Sequence, residues 1–276
     1  MQSVTKITKT DLRRQTLSGI PDVDLKILSL LDDKDLIKTC LLDKYTNNIC
    51  NRDYFWRDRF REKFAKDIPK DINTFTITPG RTWRNFYLSL ISYLSKYQGK
   101  NLFHKNEYKE IAALEAGRRG DRDALKFLEL SGIDVPLHAI QGVAQSGNFA
   151  LLKELLDKGG NKYRAISGAA EGGHKEIVDY ILPSIDDSTA WNAGLEHAAR
   201  GGHRDLIQFF MDKGATAYNF AILGAIKGGH KDLVLYFINL VRDQLTISDW
   251  FRFSEWARSY NQPAISELIT REFPDE

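Results

Sequence analysis

The sequence predicts an all-α chain in which a short three-helix module is followed by a solenoid of about six helix–turn–helix units. Three observations point there. One pattern of fourteen residues recurs six times in the C-terminal half, apolar residues recur at helical spacing on both sides of each recurring turn, and a separate stretch from residue 20 places short apolar stripes behind Pro and Asp helix starts.

The repeats carry most of the fold. AAEGGHKEIVDYIL from Ala169, AARGGHRDLIQFFM from Ala198 and AIKGGHKDLVLYFI from Ala225 superimpose without gaps, and weaker copies start at Ala116, Val143 and Trp256. Taking the residue after each turn as an anchor gives Asp121, Asn148, His174, His203, His230 and Asn261, spaced by 27, 26, 29, 27 and 31. Positions three, four, seven and eight beyond an anchor share one helix face. All of them are apolar except Glu129, from Ala124, Leu125 and Leu128 in the first copy to Ala264, Ile265, Leu268 and Ile269 in the last. Upstream of each turn runs a stripe of smaller residues, as in Ala165, Ile166, Ala169 and Ala170. Small first-helix residues let neighbouring units approach closely, larger second-helix residues fill the space behind, and one pair alone could not bury both stripes.

The AAxxGHxxIVxxLL pattern, followed twice by an Asp-Lys-Gly tail (Asp157 to Gly159 and Asp212 to Gly214), resembles the ankyrin repeat over roughly residues 108–272. It departs from that family in two ways. A Thr-Pro-Leu-His start is absent in register, and the period falls about six residues short of the usual 33, which predicts short loops and a shallow groove.

Residues 20–57 read as three helices. Pro21 and Asp22 open the first, with Leu25, Ile27, Leu28 and Leu31; Asp32-Asp33 cap a second with Leu36, Ile37, Cys40 and Leu41; a third runs through Tyr45 and Ile49, and Phe55-Trp56-Arg57 ends the unit. Phe60 and Phe64, four apart, are predicted to face inward. The order of a Pro, an Ile-Leu-x-x-Leu stretch, Asp-Leu, Lys44-Tyr45 and Trp-Arg resembles the F-box, as does the later Trp83, Arg84, Tyr87 element; Asp43 and Thr46 depart from it. The predicted organisation is a mobile arm at 1–17, an F-box-like domain at 18–66, a loop and connecting helix at 67–107, and an ankyrin-like domain at 108–272.

Composition narrows the chemistry. Lys plus Arg number 39 against 37 Asp plus Glu, too even to point to nucleic acid. No apolar run suggests a signal segment or a membrane span. Cys40 and Cys50, with no second pair, support neither a disulfide framework nor a metal site, so a reducing, cytoplasmic setting is expected. No metal-ligand triplet, nucleophile elbow or phosphate loop stands out, so no cofactor and no enzyme activity is expected. His174, His203 and His230 read as turn caps.

The F-box resemblance implies docking on a Skp-type linker protein of a cullin ubiquitin ligase through Pro21, Leu25, Leu28, Leu31, Leu36 and Trp56, unless some of these form the module's own core. The repeats would then hold the target. Tyr163, Trp191, Tyr218 and Trp250 precede successive first helices by similar offsets and either line one edge as target anchors or pack as core. The surface bound should be the loop edge and first-helix face, since the second-helix backs read as mostly Lys, Glu and Asp. Pairing these two modules is similar to gene families of large DNA viruses, which implies a host-directed adaptor in the host cytoplasm or nucleus, monomeric outside its complexes. The alternative is a repeat protein that sequesters a cellular partner without ligase function.

Overall fold

The computed structural model describes residues 17–95, 107–185 and 187–272. Among them the protein is 74% helix, with 17 helices and no strand. The chain divides into two compact units, up to Ile91 and from Ser92 onward. The expected arm and most of the Lys96–Lys109 segment lie outside the described residues.

The first unit opens with α1 (Pro21–Ser29), α2 (Asp33–Thr39), α3 (Lys44–Cys50) and α4 (Asp53–Phe64). Pro21 stands at the start of α1, where its missing N–H costs nothing. The Asp32 carboxylate accepts from the Asp35 amide to cap α2. Asp43 and Thr46, the two departures from the F-box pattern, form a capping box on α3. Phe55-Trp56-Arg57 does not end the unit; it lies early in α4, because the helical spacing continues to Phe60 and Phe64, both buried. After a stretch of turns, α5 (Trp83–Ser95) contributes Phe86 and Tyr87 to the same core. Phe60 is the hub, with the rings of Phe64, Phe75, Trp83 and Phe86 at 5.2–5.4 Å in tilted and edge geometries.

Two carboxylates pin the core, one buried (Asp24) and one half-buried (Asp33). Asp24 accepts from the Ser18 amide and hydroxyl, from the Gly19 amide and from the Tyr45 hydroxyl at 2.6 Å. That bond holds the Tyr45 phenol up at about 12. Asp33 accepts from Arg59, Lys63 and the Tyr87 hydroxyl. Cys40 and Cys50 are joined in a disulfide, which corrects the expectation of free thiols. The ends of α2 and α3 meet, an approach that a separation of ten residues does not reveal. The cysteine count therefore no longer argues for a reducing compartment.

The second unit is a succession of helix pairs: α6 (Glu107–Arg118) with α7 (Arg122–Leu130), α8 (Val135–Gln145) with α9 (Phe149–Asp157), and α10 (Lys162–Gly172) with α11 (Lys175–Ile181). Then come α12 (Ser188–Gly201) with α13 (Arg204–Asp212), α14 (Tyr218–Gly228) with α15 (Lys231–Val241), and α16 (Ile247–Ser259) with α17 (Pro263–Glu272). Connections between pairs run four to six residues. Each first helix from α6 to α14 packs on the next first helix, and each second helix lies on its own first helix. The small stripe makes this possible: a Cβ on Gly142 would sit 2.0 Å from the Leu114 carbonyl oxygen of α6. Trp256 takes the equivalent place in α16, and the contact of α14 with α16 is correspondingly thinner.

Every turn repeats one conformation. Gly120, Gly147, Gly173, Gly202 and Gly229 each have positive φ immediately before the second helix. Asn261, also at positive φ (56°), holds that place in the last pair. The last anchor is therefore Gln262, one residue later than the sequence spacing placed it. Its backbone N–H donates to the Ala257 carbonyl as that of His174 does to Ala169. The buried residues of α17 follow this shift: Ile265, Ser266 and Ile269, with Ala264 exposed.

Candidate interaction surfaces

The histidine turns work differently from the expected caps. Asp121 and Asn148 do cap their own helices, accepting from the Ala124 and Leu151 amides. His174, His203 and His230 make no such bond. Each instead reaches back to the preceding pair. Nε2 of His174 lies 3.1 Å from the Gln145 carbonyl, that of His203 3.0 Å from Glu171 and that of His230 3.0 Å from Arg200. A carbonyl only accepts, so Nε2 carries the proton and satisfies one of the orphaned carbonyls at a first-helix C-terminus. The rings rest on the glycines of the previous turn, where a Cβ on Gly173 would meet the His203 ring at 2.5 Å. Gln262 lies against Gly229 in the same way. His203→Ala is expected to lower stability by about 1–2 kcal/mol, because it leaves a partly buried carbonyl unpaired. His203→Gln should recover part of that. Thermal unfolding of the pair checks it, and equal melting of wild type and His203→Ala would show the inter-pair bond to be idle.

Along the first helices runs a polar ladder that links successive pairs. Arg118 donates to the Gln145 amide oxygen, whose amide nitrogen donates to Glu171 at 3.0 Å. Glu171 also accepts from His197 Nδ1 at 3.1 Å and faces Arg200 at 3.4 Å. Burial pushes the Glu171 carboxyl up, but the His197 hydrogen bond and the charges of Arg200, His197 and Arg118 outweigh it, so it sits below the ordinary carboxylate range. Farther on, Lys227 pairs with Glu196 at 3.4 Å and lies over the Tyr260 ring at 5.6 Å. The charged groups of this face are of both signs, which gives it a charge pattern and not a single polarity.

The structure separates the four aromatics expected at the loop edge. Tyr163 is exposed, its hydroxyl donating to Asp187 at 2.8 Å beside the start of α12. That bond raises the Tyr163 pKa. Trp191 is half-buried against Gly214, and Tyr218 half-buried with its ring 6.4 Å from that of Phe237. Trp250 is only 3% exposed and lies beneath the Arg242 guanidinium, so it is core. The four do not form one row of anchors.

The second-helix backs are less purely charged than the sequence suggested. Tyr180 and Tyr236 are exposed, and Phe149 packs edge-on to Tyr180 at 5.1 Å with the Lys153 ammonium 4.3 Å from its ring centre. Lys175 sits 4.2 Å over Phe209. Tyr180, Phe209 and Tyr236 each stand six residues beyond an anchor, a regularity visible in the sequence but outside the buried stripe. Also missed were exposed Phe220 on α14 and Ile247, Phe251 and Tyr260 around α16.

Of the six residues assigned to a linker protein, Leu25, Leu28, Leu36 and Trp56 are buried in the first unit's own core, and Pro21 and Leu31 are half-buried. The Trp56 indole N–H donates to the Cys50 carbonyl at 2.6 Å. For Leu25, Leu28, Leu36 and Trp56, burial matches the alternative that they form the module's own core. Among the described residues of this unit, the exposed aliphatic side chains include Ile20, Val23, Leu30, Leu41 and Leu42, the last two 70% and 75% exposed. Leu28 is 1% exposed and Leu30, two residues on, 63%.

Among the described residues no group of three or more His, Cys, Asp or Glu is arranged to hold a metal ion, and no helix is long and apolar enough to cross a membrane. Comparison with protein-family models, with curated proteins and with solved structures finds no match to this chain.

Proposed function

We propose that the protein is a non-enzymatic adaptor whose first unit is an F-box-like docking module and whose second is a divergent ankyrin-type array that holds a target protein. The observation that carries this reading is the repeated stack itself. Five successive first helices present a continuous face, and its inter-pair ladder through Arg118, Gln145, Glu171, His197 and Arg200 sets a charge pattern across several pairs. An interface of about 800 Å² per partner needs residues from three or more pairs, which such a face supplies. On this reading the chain works by proximity: a Skp-type linker and cullin hold one end, and other subunits modify the target held at the other.

The linker contact then falls on the exposed set Ile20, Val23, Leu30, Leu41 and Leu42, since the buried leucines are committed to the core. Co-purification of the tagged chain from cells is expected to bring down linker and cullin with the target. The Leu41→Asp, Leu42→Asp double variant should retain the target and lose linker and cullin by at least about tenfold. Wild type that captures a target without them fits a sequestering protein instead. That second reading is favoured by one observation, the burial of four of the six residues that the resemblance assigned to docking.

A further inference from the structure

The only two cysteines of the chain are bonded to each other across one corner of the first unit. Their Cα atoms are 5.8 Å apart and both side chains are buried. Cys40 is the residue on which α2 ends, and Cys50 is the last of α3. Between them lie the exposed pair Leu41 and Leu42, then Asp43, which caps α3. The bond therefore closes a covalent ring around this corner, and the Trp56 indole ties the ring to the core through the Cys50 carbonyl.

We infer that the pair is a reversible redox brace: bonded, it pins the Leu41–Leu42 turn, and reduced, it lets α3 fray while the unit stays folded. Three features carry this. Outside α3 the unit has a core that does not include the sulfurs, with Leu28, Leu36, Trp56, Phe60 and Tyr87 all buried. A cross-link over ten residues constrains the unfolded chain less than a long loop does, and disulfides that hold a fold together occur densely in small domains without such a core. Finally, α3 has only seven residues, too few to be stable alone, so its local opening gives a thiol reagent a route to the buried sulfurs.

The chemistry balances with a glutathione couple. One cysteine thiolate attacks oxidised glutathione, forming a mixed disulfide and releasing one glutathione thiolate. The second cysteine then attacks the protein sulfur of that mixed disulfide, forming the Cys40–Cys50 bond and releasing the second glutathione. Two electrons pass from the cysteine pair to glutathione, and the two thiol protons end on the two glutathione molecules. A dithiol reverses the sequence and is left as a cyclic disulfide.

The full chain, equilibrated in graded ratios of reduced to oxidised glutathione, quenched with acid and alkylated, is expected to interconvert between a two-thiol and a bonded form by intact mass. Hydrogen exchange over residues 41–50 should be about tenfold faster in the reduced form, with the amides of α4 unchanged. The Cys40→Ser, Cys50→Ser double variant should exchange like the reduced form in every buffer; if it does not fold, the wild-type titration alone decides. Thiols that stay unpaired in oxidised glutathione, a bond that survives excess dithiol in the folded protein, or identical exchange in the two forms would each overturn the inference.

Discussion

Replacing Trp56 by alanine is expected to destabilise the first unit by about 4 kcal/mol, a large part of what a domain of this size possesses. Trp56 is 1% exposed, packs 5.4 Å from the Phe55 ring and 5.5 Å from that of Tyr87, and donates its only polar hydrogen to the Cys50 carbonyl. Truncation leaves a cavity that helices α1 to α5 cannot collapse into without repacking the Phe60 cluster, and it strands a buried carbonyl. Hydrogen exchange should rise throughout residues 21–64, and thermal unfolding of this unit should begin tens of degrees lower. The same experiment tests the role the F-box resemblance implies. A Trp56→Ala protein that melts like wild type but no longer retains a linker protein would restore Trp56 as a contact residue and refute its placement in the core.

Removing Asp33 is expected to cost nearly as much. Its carboxylate accepts from Arg59, Lys63 and the Tyr87 hydroxyl, and both its side chain and that of Arg59 are largely shielded, at 13% and 12% exposed. Asp33→Ala leaves the Arg59 guanidinium without its counter-charge, although the Ser29 and Leu31 carbonyls still accept from it. A loss of about 3 kcal/mol follows. Burial alone would raise the Asp33 pKa, but the bonds from Lys63, Tyr87 and Arg59 outweigh it and hold the carboxyl below its ordinary value. The folded pKa lies below the unfolded one, so this contribution is fully present above the unfolded value near 4 and disappears as pH falls through the folded value. The difference in stability between wild type and Asp33→Asn should therefore narrow steadily below about pH 5. A difference that stays constant from pH 6 to pH 2 would show that the charge of Asp33 contributes nothing.

Much of the architecture was legible in the chain because its signals are local and repeated. Helical spacing in Leu151, Leu152 and Leu155, or in Leu233, Val234, Phe237 and Ile238, leaves one face apolar, and each of these residues is buried. Pro21 and Asp32 announce helix starts by the same local chemistry that the structure uses. The last repeat misled by one residue because Asn261, which tolerates positive φ, stands in for the usual glycine and looks like the Asn148 anchor.

The sequence by itself determined the helical class, the succession of helix pairs, five of the six turn positions and most of the stripe that each of the first five pairs buries, since all of these follow from spacings within about ten residues. Only the tertiary structure decided the rest. Whether Leu28 or Leu30 meets solvent, whether His203 caps its own helix or bonds the Glu171 carbonyl 32 residues away, whether Trp250 forms an edge or a core, and whether Cys40 reaches Cys50 all depend on how separate helices are set against each other. Periodicity gives the face a residue occupies on its own helix. It does not say what that face meets, because contact partners are chosen by packing and by the satisfaction of buried polar groups across elements.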